Sequence, residues 1–432
     1  MTAEWIERFK IFLNDAEGIV NPLHYRYMKQ TKILMTEVAS WPYKVFGDMK
    51  SDARISKYNI ALILLGICLP FLSGGHLYTH ADTMNFNDMG NSIIIIFLDF
   101  IFLQRLVLAR TDKFFNLMKL FINKFHLIYF KNRSAYAEKV FHRIHLISGV
   151  FTMYIFVLLH FGILVYNLIP VYGNYKNGMF GSNRPTNSTF GHSAYYYVPK
   201  DYFYITEAGY VILAIINLYL SLIIAGMLTN FDLVVYLIVF QIWGHLKVLK
   251  HDLYSFPRPK VRENDVDNGM YTPEENFYIR KLLSDNIEHH QLIIKFVDEC
   301  SYVLGEYLFM FYANIQVISC LLLLEMASMT AGVIAKFAAL FLAIFISLIQ
   351  CSVLFELVNT KSMELENAVY QLPWECMDVN NRKTVIFFLY RCQTPLSIKA
   401  GKIIPVGVTT MLAVLKTSCS YFMLLQTLTK EV

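Results

Sequence analysis

The chain has 432 residues, of which 56% are hydrophobic and 16% are charged, and its net charge is +5. A soluble domain carries about a quarter charged residues, so this composition excludes an ordinary soluble globular protein. The mean hydropathy of +0.42 and the grouping of apolar residues into blocks of roughly 20 residues, the length that crosses a bilayer, predict an all-α membrane protein.

Seven apolar blocks predict seven transmembrane helices. The chain starts with a mixed-charge stretch and no apolar run behind it, so we expect no cleavable signal peptide. The apolar segment 114–130 contains Lys119 and Lys124, which predicts an amphipathic helix outside the membrane. The fourth block continues to residue 243, so this helix either extends beyond the membrane or hides an eighth span. The predicted spans are 58–75, 92–110, 146–169, 208–230, 302–326, 332–357 and 403–428.

The distribution of Lys and Arg predicts the orientation, because loops rich in these residues stay cytoplasmic. Of the 38 Lys and Arg residues, 32 lie in segments 1–57, 105–146, 244–301 and 357–402. We therefore expect a cytoplasmic N-terminus and an extracellular C-terminus, the inverted topology, and we reject an eighth span because it would place 244–301 outside. The resulting division is a cytoplasmic N-terminal segment (1–57), helices 1–4 (58–230), a cytoplasmic extension (231–301), helices 5–6 (302–357), a second cytoplasmic segment (358–400) and helix 7 with the tail (401–432).

The longest predicted external loop contains a glycosylation sequon at Asn187. A second sequon at Asn132 lies in a predicted cytoplasmic loop, where we expect it to stay unmodified. All seven cysteines lie in predicted spans or cytoplasmic stretches, and the reducing cytosol favours free thiols there. They are Cys68, Cys300, Cys320, Cys351, Cys376, Cys392 and Cys419.

Three classes of membrane protein fit the sequence poorly. A G-protein-coupled receptor has the opposite orientation, and neither an acidic-Arg-Tyr motif after the third span nor an Asn-Pro-x-x-Tyr motif in the seventh is present. The pair His142 and His145 and the pair His289 and His290 do not form the boxes of a di-iron enzyme, and no HExxH, Walker or GxSxG motif occurs. We therefore predict no enzymatic activity, cofactor, metal site or nucleic-acid partner. A secondary transporter remains an alternative, although the chain shows no internal repeat.

The last predicted span contains a lysine near its middle, and a charge at that depth is costly. At 100° per residue, one narrow face of this helix is polar or small; it comprises Thr409, Ala413, Lys416, Ser420, Met423 and Thr427. Two interpretations stay open. Lys416 pairs with an acid in the membrane, such as Asp99, Glu306 or Glu356, or the face lines a water-filled path. The second interpretation requires oligomerisation, because one helix cannot enclose a pore.

Four short motifs follow one another near the carboxyl end: LPWE (372–375), QTPL (393–396), AG (400–401) and LKTSCSYF (415–422). In this order and spacing they resemble the C-terminal signature of insect odorant receptors, and the inverted seven-span topology extends the resemblance over the chain. The stretches NFDL (230–233) to HLK (245–247) and LPWECM (372–377) are most similar to the moth sex-pheromone receptor branch.

The resemblance implies a subunit of a tetrameric, odorant-gated, non-selective cation channel. Such a tuning subunit assembles with a shared co-receptor subunit in the plasma membrane of olfactory sensory neurons. Segments 244–301 and 357–400 would form the cytoplasmic anchor between subunits, with Trp374 as a packing residue before a helix at about 382–393. The last helix would line the pore with Lys416, Ser420, Met423, Gln426 and Thr427, and Leu424 would form the hydrophobic gate. We favour Thr427 as the filter residue, with Gln426 as its neighbour and alternative.

The resemblance also implies an odorant pocket in the outer half of the helix bundle, within each subunit. A long aliphatic pheromone suits such a pocket, since each buried CH₂ contributes about 0.8 kcal/mol. His160, Asn217 or Ser319 would hydrogen-bond a terminal polar group of the ligand. The alternative signalling mode is metabotropic. The pocket candidates are Ile94, Phe97 and Leu98 in span 2, Phe156, His160 and Phe161 in span 3, Tyr210, Leu213 and Asn217 in span 4, Tyr312, Ile315 and Ser319 in span 5, and Phe341 and Phe345 in span 6.

Overall fold

The computed structural model describes residues 18–46, 52–84, 86–181, 184, 188–198, 202–259, 269–327 and 331–430. Within these residues the chain is helical except for loops and one two-stranded hairpin. The elements in chain order are α1 (Arg26–Glu37), α2 (Tyr43–Phe46), α3 (Asp52–His80), α4 (Phe86–Leu108), α5 (Asp112–Leu120), α6 (Ala135–Lys176), α7 (Tyr202–Ile205), α8 (Glu207–Tyr254), α9 (Pro273–Ala327), α10 (Ala331–Tyr370), α11 (Val379–Cys392), β1 (Lys399–Ala400), β2 (Ile404–Pro405) and α12 (Val408–Lys430).

The predicted all-α membrane fold is confirmed. Six of the described helices, α3, α4, α6, α8, α9 and α10, are long and apolar enough to cross a bilayer. The seventh predicted span corresponds to α12, whose described side chains form a shorter apolar stretch, Val408–Leu424. At 1.5 Å per residue, the 23 residues of α12 reach about 34 Å, which is enough to span the hydrocarbon core.

Several helices are much longer than a membrane span; the sequence predicted such an extension for the fourth helix. Helix α8 has 48 residues and α9 has 55, so each is more than twice the length that a bilayer requires. The fourth apolar block is one unbroken helix. Residues 230–242 of α8 are buried on every side, because α1, α4, α6, α9 and α10 surround this half. The apolar run to residue 243 therefore serves two environments, lipid in its first half and a protein core in its second.

Segment 114–130 differs from the single amphipathic helix that was predicted. Helix α5 ends at Leu120, a π-helical turn follows over Phe121–Phe125, and a 3₁₀ turn covers Leu127–Tyr129. The break occurs because His126 leaves the helical conformation and its side chain accepts from the Ile128 backbone N–H at 3.2 Å. The apolar side chains fold into the core instead of lying on a surface, and the ring of Phe125 stacks on Phe296 at 3.7 Å.

The segment between α10 and α12 contains the predicted helix 382–393 as α11, which begins three residues earlier. Asp378 caps this helix by accepting from the Asn381 backbone N–H at 2.8 Å. Trp374 is 41% exposed, whereas Leu372 and Met377 are buried. Leu372 and Met377 therefore pack this turn within one chain, whereas the role of Trp374 in an anchor between subunits stays a prediction.

Candidate functional site

The hairpin that precedes α12 fixes this helix to α9. The Gly401 backbone N–H donates to the Gly305 carbonyl at 2.8 Å, and a Cβ at Gly305 would lie only 3.0 Å from the Lys399 carbonyl oxygen. Gly401 and Lys402 adopt positive φ angles of 57° and 66°, which turn the chain back sharply. Because residue 305 has no side chain, the hairpin backbone packs directly on α9, and this contact positions the start of α12.

Glu356 of α10 caps the first turn of α12. Its carboxylate accepts from the Val408 backbone N–H at 3.3 Å, and a Cβ at Gly407 would collide with the same carboxylate. A negative charge at a helix N-terminus is favourable because the free N–H groups and the helix dipole point at it. Glu356 is one of the three acids that the sequence suggested as partners for Lys416. Its carboxylate instead binds the start of α12, two turns before Lys416.

Helix α12 has one packed face and one exposed face. Ser418 is 1% exposed and donates to the Gln316 carbonyl of α9 at 3.2 Å, and Val414, one turn earlier, is also buried. The opposite face is exposed in the single chain; it carries Thr409, Ala413, Lys416, Ser420, Met423 and Thr427. The polar stripe that the helical wheel defined therefore lies on the side of α12 that this chain does not cover.

Lys416 has no carboxylate partner among the described residues, and its side chain is exposed. Asp99 accepts from Ser73 Oγ at 2.9 Å, and Glu356 caps α12. Glu306 is exposed and forms no ion pair with Lys416. The interpretation that pairs Lys416 with Asp99, Glu306 or Glu356 is wrong in this structure.

The gate and filter candidates lie near the far end of α12. Leu424 is 55% exposed, and Thr427 is exposed and donates to the Leu424 carbonyl at 2.7 Å. The side chain of Gln426 lies outside the described residues, as does Asn187 of the predicted glycosylation site.

A cluster of apolar side chains brings several pocket candidates together between α4, α9 and α10. Ile94, Phe97 and Leu98 of α4 meet Phe341 of α10 there. Ile318 and Leu322 of α9 are buried members of the same cluster, and the Phe345 ring stacks on Phe341 at 5.8 Å. Ser319 is buried on α9, between the cluster residue Ile318 and Cys320. This place, which we call the α4–α9–α10 cluster, is where the sequence candidates converge.

A second group lies beneath the loop between α6 and α7. Tyr210 and Leu213 are buried on α8, and the Tyr210 ring stacks on Phe190 of this loop at 4.7 Å. Asn217 is buried and donates its amide to the Ala194 carbonyl at 3.0 Å. Asn217 therefore holds the loop against the bundle.

Other candidates are placed apart from both groups. Phe156 and Phe161 of α6 are exposed, Phe161 to 64%, and the His160 ring bonds to the carbonyl of Phe156 within the same helix at 2.8 Å. Tyr312 and Ile315 belong to the main core, where the Tyr312 hydroxyl shares a 3.0 Å hydrogen bond with Ser352. The structure does not bring the α6 residues to the α4–α9–α10 cluster.

Sequence reasoning missed a buried charged network beside this cluster. Arg105 of α4 lies 3.1 Å from Asp232 of α8, and Tyr307 of α9 donates to the same carboxylate at 2.7 Å. Arg105 also donates to the Leu228 carbonyl. A signal was present, since each charge interrupts an apolar stretch of the sequence. Only their opposite signs suggested a pair.

These features define a polytopic helical membrane protein whose last helix has an exposed polar face. A sequence model of the family described as 7tm Odorant receptor matches residues 85–419, which is well over half of the chain. The chain belongs to this odorant receptor family.

Individual relatives agree with that assignment. Odorant receptor 85c of Drosophila melanogaster is 27% identical over 152 residues, which are 34% of this chain and 38% of the relative. Odorant receptor 10 of Aedes albopictus is 27% identical over 148 residues, 32% of this chain and again 38% of the relative. The matched stretches thus span well under half the length of these relatives. Because these proteins are receptors, the family assignment agrees with the prediction that the chain is not an enzyme.

The fold has a counterpart among solved structures. The insect olfactory receptor OR5 from Machilis hrabei in complex with eugenol superposes with a TM-score of 0.71 and 16% identity, covering 93% of this chain and 98% of that one. A second structure of the same receptor, for which no ligand is named, gives a TM-score of 0.69 at 15% identity. At 15–16% sequence identity, this structural similarity establishes the fold of the chain.

Proposed function

We propose that this chain is the odorant-binding tuning subunit of a heteromeric, odorant-gated, non-selective cation channel formed with a shared co-receptor subunit. The observation that supports this most strongly is the exposed polar face of α12. A lysine and several hydroxyl groups at membrane depth need water or partners, and neighbouring subunits around a central path would supply both.

Within this proposal Leu424 forms the gate, and Thr427 or Gln426 forms the filter. Lys416 lies on the predicted cytoplasmic side of Leu424, in a wider vestibule where its charge stays hydrated. The segments 231–301 and 358–400 form the anchor between subunits, and Asn187 carries a glycan on the outer face.

Helix α9 connects the α4–α9–α10 cluster of the proposed pocket to α12. Helix α9 contributes Ile318 and Leu322 to the cluster, and its Gln316 carbonyl accepts from Ser418 of α12. One rigid helix therefore contacts both places. A ligand that prefers one position of α9 would shift the closed–open equilibrium of α12 by its differential affinity for the two states.

The ligand that we propose is a long-chain aliphatic pheromone. The cluster contains aliphatic and phenylalanine side chains that suit the chain of the ligand, and we assign the terminal polar group to the hydroxyl of Ser319, which is buried on α9. The similar fold of the Machilis hrabei receptor described in complex with eugenol supports a small, mostly apolar ligand with one polar end.

The test is co-expression of this chain with the co-receptor, followed by recording from excised patches without nucleotides. Unsaturated long-chain alcohols, aldehydes and acetates are expected to evoke cation current. Strict dependence on a G protein would replace the channel proposal with the metabotropic alternative, and a response confined to plant aromatics would refute the pheromone assignment alone.

A further inference from the structure

A group of basic residues lines a groove between α6, α8 and α10, which we call the basic groove. The groove has a volume of about 240 Å³. The ring of Tyr136 forms part of its wall, stacked on His251 at 3.8 Å. The lining residues are Tyr136, Leu246, Lys247, Lys250, His251, Tyr254, Lys361 and Glu364.

The positive charge of the basic groove is only partly compensated. Glu364 accepts from Lys250 at 2.7 Å and from Lys361 at 2.5 Å. Lys247 has no carboxylate partner among the described residues, and its ammonium lies 3.9 Å from the centre of the Trp243 ring. Arg143, exposed on α6, places a further positive charge close enough to act on Lys247. In the lining of the groove, three lysines thus face a single carboxylate, that of Glu364.

The depth of the basic groove relative to the membrane follows from α6 and α10. Gln350 of α10 donates to the Tyr154 hydroxyl of α6 at 2.9 Å, which fixes one common level inside the predicted spans. Arg143 and Lys361 each lie 11 residues from that level toward the same end, which is about 16 Å along the helices.

The lipid-facing surface ends before the basic groove begins. Val150 of α6 and Val353 of α10 are exposed apolar residues between that common level and the groove. The basic residues follow them by two turns, at the predicted cytoplasmic end. In the predicted topology, this is the depth of the inner-leaflet phosphates.

We propose that the basic groove binds the phosphate groups of a polyphosphorylated inositol lipid. Lysine ammonium groups bind phosphate as point charges, and basic pockets between transmembrane helices on the cytoplasmic side suit such headgroups. Phosphate oxygens replace Glu364 as the acceptors for Lys250 and Lys361, and they give Lys247 the anionic partner that it lacks.

Binding there has a structural consequence for α12. Lys361 is five residues after Glu356, which caps the first turn of α12. A headgroup that draws Lys247 and Lys361 together fixes α8 against α10, and so steadies the residue that holds the start of α12. The bound lipid therefore stabilises the position of the first turn of α12, from a site separate from the odorant pocket.

The test measures lipid bound to the purified full-length chain by native mass spectrometry. The probes are short-chain phosphatidylinositol bisphosphate, phosphatidylcholine of the same chain length, and soluble inositol trisphosphate as competitor. The double variant Lys247→Gln/Lys361→Gln is expected to weaken binding of the phosphoinositide roughly 30-fold, as the loss of two lysine–phosphate attractions implies. Arg143→Gln, at an exposed position, is expected to weaken it less.

The matched control is Lys281→Gln/Lys295→Gln, which removes the same charge from exposed positions of α9 and is expected to bind like the wild type. Equal binding by the Lys247/Lys361 variant and the wild type would overturn the site, as would equal retention of phosphatidylcholine. If inositol trisphosphate displaces the lipid at an equal concentration, the proposal of a membrane lipid is wrong, and the ligand of the groove is a soluble phosphate compound.

Discussion

The guanidinium of Arg105 lies 3.1 Å from the carboxylate of Asp232, where α4 crosses α8. Only 1% of Arg105 is exposed. The Tyr307 hydroxyl donates to Asp232, and its ring faces the guanidinium at 5.0 Å. A charge is tolerated in such surroundings only when it is paired and hydrogen-bonded. Three helices are therefore locked at one point, between the α4–α9–α10 cluster and the main core.

Removing one partner of this pair is expected to destabilise the fold. Asp232→Leu leaves the Arg105 charge buried and unpaired, which costs about 3–5 kcal/mol. The measurement is the apparent melting temperature of the protein in detergent. The double variant Arg105→Leu/Asp232→Leu is expected to recover most of the loss, since two apolar residues leave no charge behind. A double variant as unstable as the single one would contradict an electrostatic origin.

The same network shows what the sequence leaves undetermined. Arg105 and Asp232 are 127 positions apart, and no local pattern brings them together. The polar stripe on α12, by contrast, repeats every three or four residues, so Lys416 and Ser420 were predicted to share a face before any packing was known. Periodicity does not say which face of a helix is inside. The adjacent residues Ile155 and Phe156 of α6 are both apolar, yet the structure buries the first and exposes the second.

Lys416→Gln is expected to change single-channel conductance more than ligand potency. Its side chain is exposed on α12, away from the residues that contact α9, so in the proposed channel we expect its charge to act on permeating ions and not on the pocket. Recordings of the co-expressed channel give both quantities. Ser418→Ala, on the packed face, is the control and is expected to leave conductance unchanged. A shift in potency at constant conductance would remove Lys416 from the pore.

Leu424→Ala is expected to raise the current measured without ligand. A smaller side chain widens the hydrophobic constriction and lowers its barrier to water and ions. Leu412→Ala is the matched control, because Leu412 is equally exposed on α12 but lies three turns away. Basal current that stays at the wild-type level in Leu424→Ala, or rises equally in both variants, would rule out Leu424 as the gate.

Phe341→Ala is expected to reduce ligand potency roughly 10- to 150-fold, because burying an aromatic ring contributes roughly 1.5–3 kcal/mol. The ring packs in the α4–α9–α10 cluster with Phe345 stacked on it. Phe156→Ala removes the same atoms from an exposed position on α6 and is expected to leave potency unchanged. Concentration–response curves of both variants measure the two potencies. The reverse order of effects would move the pocket toward α6.

His126 predicts a loss of stability in acid. Burial, assisted by the neighbouring His145 and His245, lowers the pKa of His126 to about 3, against an ordinary value near 6.5. The unfolded chain then binds a proton that the folded chain does not. Stability is complete above pH ~6.5 and falls by up to about 1.4 kcal/mol per pH unit below it, until the pH reaches the folded pKa.

The variant His126→Asn keeps an acceptor for the Ile128 backbone N–H but removes the titrating ring. Its melting temperature is therefore expected to fall less steeply than that of the wild type as the pH is lowered from about 6.5 to 5. Tyr27→Phe is the control, because the Tyr27 hydroxyl lies 2.7 Å from His126 Nε2. This control loses the same hydrogen bond and keeps the histidine, so its melting temperature drops at every pH while the slope stays that of the wild type. Parallel pH profiles for His126→Asn and the wild type would show that the acid sensitivity comes from other groups.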